Sequence, residues 1–145
     1  MSDVLTLSQV KMPGTARTKD DAIREAGQIL VDAGAVEPDY IDSMFDRERS
    51  VSTYMGNYLA IPHGTNESKE SIKRSALSVV RYPEPIDWDG NEVLFALGIA
   101  GYQGGHMDIL SRIAIVFSDT DEVDKLVAAR SAEELYGLLN AVNEG

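Results

Sequence analysis

The sequence predicts one α/β (α+β) domain over residues 1–145, with a mixed parallel and antiparallel β-sheet flanked by helices on both faces. Three observations carry this expectation. Short apolar runs that read as strands alternate with longer segments of helical period. In the run from Ala76 to Tyr82, the positions of Leu77, Val79 and Tyr82 break strict alternation, a sign that both faces of the sheet are covered. Finally, no repeat, low-complexity tract or linker divides the 145 residues, and 43% of them are hydrophobic, enough for one ordinary core.

The elements follow in order. Val4-Leu5-Thr6-Leu7 predicts an edge strand or extended arm, and Pro13-Gly14 a turn. Thr18 caps a first helix with Asp20 and Asp21 in its first turn. Its stripe is Ala22, Ile23, Ala26, Ile29, Leu30 and Ala33, and Gly34 stops it. A second helix starts at Glu37-Pro38-Asp39 and buries Tyr40, Ile41, Met44 and Phe45, with Arg47 and Glu48 in its last turn. The loop from Ser50 to Asn57 leads to a short buried strand, Leu59-Ala60-Ile61. Asn66 to Lys73 reads as a polar surface turn with some helix. Ala76 to Tyr82 is a strand ended by Pro83-Glu84-Pro85, and Asp87 to Asn91 carries turn chemistry. Val93 to Ala100, the most apolar run, predicts a central strand. After the glycine-rich loop Gly101–Gly105, a helix spans His106 to Phe117, offering Met107, Ile109, Leu110, Ile113, Ala114 and Phe117 for burial. Two more helices cover Asp121 to Ala129 and Ser131 to Asn143, the last opened by the capping box Ser131-x-x-Glu134.

Composition removes several functional classes. A net charge of −11, from 24 acidic and 13 basic residues, repels phosphate backbones and argues against nucleic-acid binding. Chiefly it confers solubility, while an acidic patch near a site can steer a basic partner. No apolar run approaches the ~20 residues that cross a bilayer, so no membrane insertion is expected. Met1-Ser2-Asp3 begins no signal peptide, and the absence of cysteine excludes disulfides and thiolate chemistry, both consistent with a cytoplasmic location. The glycines Gly98-x-x-Gly101-x-x-Gly104 make no dinucleotide fingerprint, and no Gly-Lys-Ser/Thr phosphate loop is present. Asp87-x-Asp89-Gly90 lacks the further ligands of a calcium loop and reads as a hairpin turn. Two widely spaced histidines make a poor zinc site, and no Gly-x-Ser-x-Gly elbow supports a hydrolase. Asn66-Glu67-Ser68 matches a glycosylation sequon only by chance. Trp88 reads as a packing residue rather than a sugar platform.

The most informative stretch is Gly56-Asn57-Tyr58-Leu59-Ala60-Ile61-Pro62-His63-Gly64-Thr65. Pro62 ends the strand ladder, and Gly64 allows close approach to its backbone. His63 is therefore expected at the exposed lip of a sheet on a stiff mount. On residue type alone, a histidine there is more often a turn residue or a core group bonded to a carbonyl. Two further constellations weigh against that plainer reading. Arg47-Glu48 stands sixteen residues upstream, followed by Ser52-Thr53-Tyr54-Met55-Gly56. The second histidine, His106, closes Gly98-Ile99-Ala100-Gly101-Tyr102-Gln103-Gly104-Gly105 and opens Met107-Asp108-Ile109-Leu110. For Arg47 the plainer role is a helix-end charge paired with Asp46 or Glu48. For Ser52 and Thr53 it is satisfying loop backbone.

Taken together, Met44 to Glu48 with Ser52 to Gly56, Ala60 to Thr65, and Gly98 to Leu110 resemble the mannitol/fructose-type enzyme IIA domain of the sugar phosphotransferase system. The third block resembles the mannitol branch. The resemblance runs from about residue 3 to about residue 143. It implies a phosphocarrier in which Nε2 of His63 takes a phosphoryl group from the phosphohistidine of HPr and passes it to a cysteine of enzyme IIB, or IICB, of a mannitol-type permease. Arg47 and His106 are the implied stabilisers of the transferred group, with Arg49 the neighbour most easily confused with Arg47. His106, at a helix start, adds the favourable partial charge of a helix N-terminus. No metal, nucleotide or other cofactor is implied, because the phosphoryl bond arrives already made. The permease parts are expected as separate polypeptides, bringing the chain transiently to the inner face of the membrane. Gly104-Gly105 departs from the bulkier polar residues expected before the second histidine. A regulatory, nitrogen-type IIA that is phosphorylated on His63 but works by binding partners is the alternative. A non-catalytic interaction module is a third.

Overall fold

A computed structural model of the chain describes residues 4–65, 70–102 and 105–143, without the side chains of His106 and Ala141. Its centre is a hairpin of two long strands, β4 (Ala76–Trp88) and β5 (Asn91–Ala100). Asp89 and Gly90 both adopt positive φ, 54° and 92°, the pair of left-handed residues that a two-residue turn between twisted strands requires. Asp87 Oδ1 accepts from the Gly90 N–H to lock it.

Pro83-Glu84-Pro85 does not end β4. Pairing passes from Arg81↔Phe95 to Ile86↔Val93, five steps along β4 against two along β5. The extra residues bulge out of the ladder, so two prolines without N–H groups are tolerated and the strand resumes.

Three short strands complete the sheet: β1 (Val10–Lys11), β2 (Tyr54–Gly56) and β3 (Leu59–Ala60). The order is β1-β4-β5-β3-β2, with β1 parallel to β4, β3 parallel to β5, and the remaining pairs antiparallel. The expected mixed sheet is present. The edge strand, however, lies at Val10–Lys11 rather than Val4–Leu7. Polar side chains occupy the main chain of the earlier segment. Gln9 Nε2 donates to the carbonyls of Val4 and Leu77, and Asn143 both donates to and accepts from Leu5. The Leu77 N–H donates to the Val4 carbonyl at 2.8 Å.

Helices cover both faces, as expected. α1 (Lys19–Asp32) and α2 (Tyr40–Ser50) pack on one side. Thr18 Oγ1 caps α1 at the Asp21 N–H, and Gly34, at φ 76°, ends it. Ile23, Leu30, Tyr40 and Met44 meet Val80, Tyr82, Ala96 and Trp88 in this core. On the other side lie α3 (His106–Phe117), α4 (Thr120–Ala128) and α5 (Ala132–Leu139), followed by a 3-10 turn, Asn140–Asn143. Ile109, Ile113, Phe117, Leu126 and Leu135 pack there against Leu77, Val79, Leu97 and Ile99. Odd and even positions of β4 thus enter different cores, which is why its sequence does not alternate. Met107, 66% exposed, and Ala114 lie on the outer side of α3 instead of joining the core. Among the described residues no helix is long and apolar enough to cross a membrane. The expected polar turn at Asn66–Lys73 falls partly outside the described residues, as do Gln103 and Gly104 of the glycine loop.

Candidate functional site

Pro62 stops β3, and one bridge carries the pairing a step further, with His63 opposite Ile99 of β5 in parallel register. The Ile99 N–H donates to the Pro62 carbonyl at 3.1 Å. Because β3 and β5 run in parallel, their carboxyl ends lie at the same edge of the sheet. His63 leaves one of them, and the segment leading through Gly101 to α3 leaves the other. In open α/β sheets this edge, outside the carboxyl ends of parallel strands, is where ligands are met.

The His63 ring is fixed by its own backbone. Nδ1 lies 2.7 Å from the Ile61 carbonyl oxygen. A carbonyl only accepts, so Nδ1 carries the proton, and in the neutral ring Nε2 carries the lone pair. The carbonyl thereby selects the tautomer protonated at Nδ1. The residue is 7% exposed, not the open lip expected from the sequence. The reason is strand order: β3 is an inner strand, between β5 and β2, and α2 packs over its end.

α2 grips the segment after His63 with one stripe of side chains. Tyr40 Oη accepts the Gly64 N–H at 2.8 Å and donates to the Ile99 carbonyl at 2.7 Å. Ser43 Oγ accepts the Thr65 N–H at 2.9 Å and lies 3.1 Å from Thr65 Oγ1. Arg47 is one turn further along the same stripe, since positions i, i+3 and i+7 share a helix face. Its guanidinium donates to the Val51 carbonyl at 2.8 Å, its only hydrogen bond among the described residues. It does not pair with Asp46 or Glu48. Asp46 is held by Arg49 at 2.6 Å. Glu48 turns inward and is 5% exposed. Its carboxylate accepts the Thr53 N–H and hydroxyl at 2.8 and 2.6 Å and the Trp88 Nε1–H at 3.1 Å, with Lys19 Nζ at 3.9 Å. Glu48 thus ties the loop after α2 to the core, and the Ile61 N–H donates to the Thr53 carbonyl beside it. Ser52 Oγ accepts the Tyr54 N–H, the loop-backbone role expected of it, whereas the Thr53 hydroxyl is committed to the Glu48 side chain, and Trp88 is a fully buried packing residue.

His106 begins α3 after Gly105, and its side chain lies outside the described residues. No group of histidine and carboxylate side chains among the described residues could hold a metal ion. Tyr40 and Ser43 are contributors to the site that sequence reasoning missed. Tyr40 reads as one more apolar position, and only the i, i+3, i+7 recurrence of polar atoms up to Arg47 hints otherwise. A concavity of about 630 Å³ flanks α1 around Glu25 and Arg24. Nearer the site, a cavity of about 220 Å³ is lined by Met55, Leu59, Ile61, Ile113 and Phe117.

Residues 3–142 match the family model described as phosphoenolpyruvate-dependent sugar phosphotransferase system, EIIA 2. The chain is 50% identical, over 141 residues and 97% of each chain, to the mannitol-specific phosphotransferase enzyme IIA component of Halalkalibacterium halodurans. Its fold is similar to the Escherichia coli enzyme IIA of mannitol solved in complex with phosphorylated enzyme IIB, with a TM-score of 0.88 at 30% identity. That likeness covers 94% of this chain and 97% of that one. It is similar also to the crystal structure of Escherichia coli IIA mannitol, with a TM-score of 0.86 at 31% identity over 93% and 98% of the two chains.

Proposed function

The chain belongs to the EIIA 2 family of the phosphoenolpyruvate-dependent sugar phosphotransferase system, and from that premise we propose that it is a phosphocarrier for mannitol uptake, working through His63. In the first step the N–P bond of phospho-HPr breaks as Nε2 of His63 bonds to phosphorus, and the departing imidazole of HPr keeps the electron pair. In the second, a thiolate of enzyme IIB attacks that phosphorus, and His63 leaves as the neutral ring. Two nitrogen–phosphorus and sulfur–phosphorus exchanges of this kind need positioning and charge stabilisation more than new chemistry. Arg47 supplies a fork of donors for the equatorial oxygens as charge spreads over them. His106 and the start of α3 are the second source of positive potential.

The observation that supports this reading most directly is the Nδ1 contact to the Ile61 carbonyl, which aims Nε2 away from the strand in nucleophilic form. The mannitol assignment leans on relatives at 45% to 50% identity and on the likeness to an enzyme IIA bound to its IIB. The test is intact mass after incubation with enzyme I, HPr and phosphoenolpyruvate, followed by transfer to purified mannitol- and fructose-type IIB acceptors. One acid-labile, base-stable phosphate is expected, absent in His63→Ala and discharged by the mannitol acceptor. A charged chain that discharges to neither acceptor makes the protein a regulatory IIA instead. A label retained in His63→Ala overturns the phosphocarrier assignment.

A further inference from the structure

In a parallel ladder, a residue opposite His63 uses both of its main-chain groups. Its N–H bonds the carbonyl before the histidine, and its carbonyl bonds the N–H after it. Ile99 keeps the first of these, to Pro62. At the second, the hydroxyl of Tyr40 is set between the partners, donating to Ile99 at 2.7 Å and accepting from Gly64 at 2.8 Å. A side chain from α2 thus enters the ladder at the peptide that follows the candidate nucleophile. It holds that peptide off β5, while the Nδ1 contact holds the ring to Ile61.

We propose that Tyr40 is a positioning residue for phosphoryl transfer: its hydroxyl, wedged between the Gly64 N–H and the Ile99 carbonyl, sets where the His63 ring stands. This rests on the phosphocarrier reading above. Three features of the site make the hydroxyl fit that task. Tyr40 is 2% exposed, so water does not compete for its two partners. Its ring is packed in the core of α1 and α2, so the oxygen has little freedom to move. Burial pushes the phenol up to about 12 against the opposing Gly64 hydrogen bond, so it stays protonated and a donor at neutral pH. Ser43 Oγ accepts the next main-chain N–H, that of Thr65, and so holds the same segment. Without the hydroxyl, Gly64 and Ile99 are free to close the rung directly, which draws the His63 peptide toward β5. A displacement of about an ångström at a reacting group is enough to cost ~10²-fold in rate.

The test is Tyr40→Phe, which keeps the ring and removes the oxygen. Wild type and variant are charged with phospho-HPr in rapid-quench experiments, and the His63 ring nitrogens are followed by ¹⁵N NMR. The expected result is a transfer rate constant lowered by ~10- to 10²-fold with unchanged affinity for HPr, and altered ¹⁵N shifts of the His63 ring. A variant with wild-type rate and wild-type ring shifts overturns the inference, even if its melting temperature falls, because that outcome is a purely structural role. Wild-type chain that takes up no phosphate overturns the phosphocarrier reading itself. If Tyr40→Phe fails to fold, Ser43→Ala carries the same comparison, with a smaller loss of rate expected and none overturning the positioning role.

Discussion

Around His63, single atoms decide chemistry. The Ile61 carbonyl chooses the tautomer, and the strand end chooses the direction. Arg47 and Arg49 show how neighbours of like charge diverge. Arg49 faces solvent and pairs with Asp46, both side chains well exposed, so its ion pair contributes little. Arg47 shares its helix stripe with Tyr40 and Ser43 and makes no ion pair among the described residues. Arg47→Ala is therefore expected to slow phosphoryl transfer by ~10²–10³, whereas Arg49→Ala leaves it unchanged, in the same rapid-quench assay. Equal losses for both would remove the distinction. Proline and glycine marked the location of His63 in the sequence, because both act through the local backbone. The roles of Tyr40 and Glu48 were illegible there, since their partners lie 59 and 40 residues away, at Ile99 and Trp88.

Among the elements, α1 and β5 meet where neither can bear more volume. A Cβ built on Gly98 would stand 2.5 Å from Ser78 Oγ and 3.2 Å from both Cβ and the main-chain oxygen of Ala26. Ser78 Oγ cannot simply rotate away, because it donates to the Ala26 carbonyl and accepts the Gly98 N–H. Gly98→Ala is expected to destabilise the fold by ~1–3 kcal/mol through overpacking, read as a lowered urea midpoint. An unchanged midpoint would mean that α1 yields at this contact. The helices were legible from apolar period and caps. Ser131 Oγ caps α5 at the Glu134 N–H, as its capping box foretold, although Glu134 reaches back to Arg130 rather than to Ser131. The strand ends were less so. Pro83-Glu84-Pro85 carries every local sign of a stop, and only the length of β5 opposite shows that the ladder resumes beyond a bulge.

At the scale of the molecule, two cores share one sheet, and a half-buried carboxylate pins the chain's early loop to α1. Glu25 accepts from Lys11 Nζ at 2.6 Å, from both the N–H and hydroxyl of Thr15, and from the Ala16 N–H. Burial would raise its pKa, but Lys11 and Thr15 outweigh burial and hold it at about 2, down from 4.5. A carboxyl group held lower in the folded chain stabilises the fold above its unfolded value and loses that contribution as pH falls through the folded one. Wild-type stability is therefore expected to drop more steeply between pH 4.5 and 2 than that of Glu25→Gln, in urea titrations across that window. Parallel curves would place the acid sensitivity elsewhere. A concavity of about 630 Å³ lies beside this staple.

What the sequence by itself determined is whatever acts over a few residues. That includes the helical stripes and their caps, the hairpin turn at Asp89-Gly90, and a histidine held between a strand-ending proline and a glycine. What only the tertiary structure decided is whatever needs two distant segments at once: the inner position of β3 that covers the His63 ring, the bulge that rescues β4, and the hydroxyl that α2 inserts beside Gly64. Local backbone preferences are written in neighbouring residues, whereas a hydrogen bond across the sheet exists only after the chain has brought its ends of that contact together.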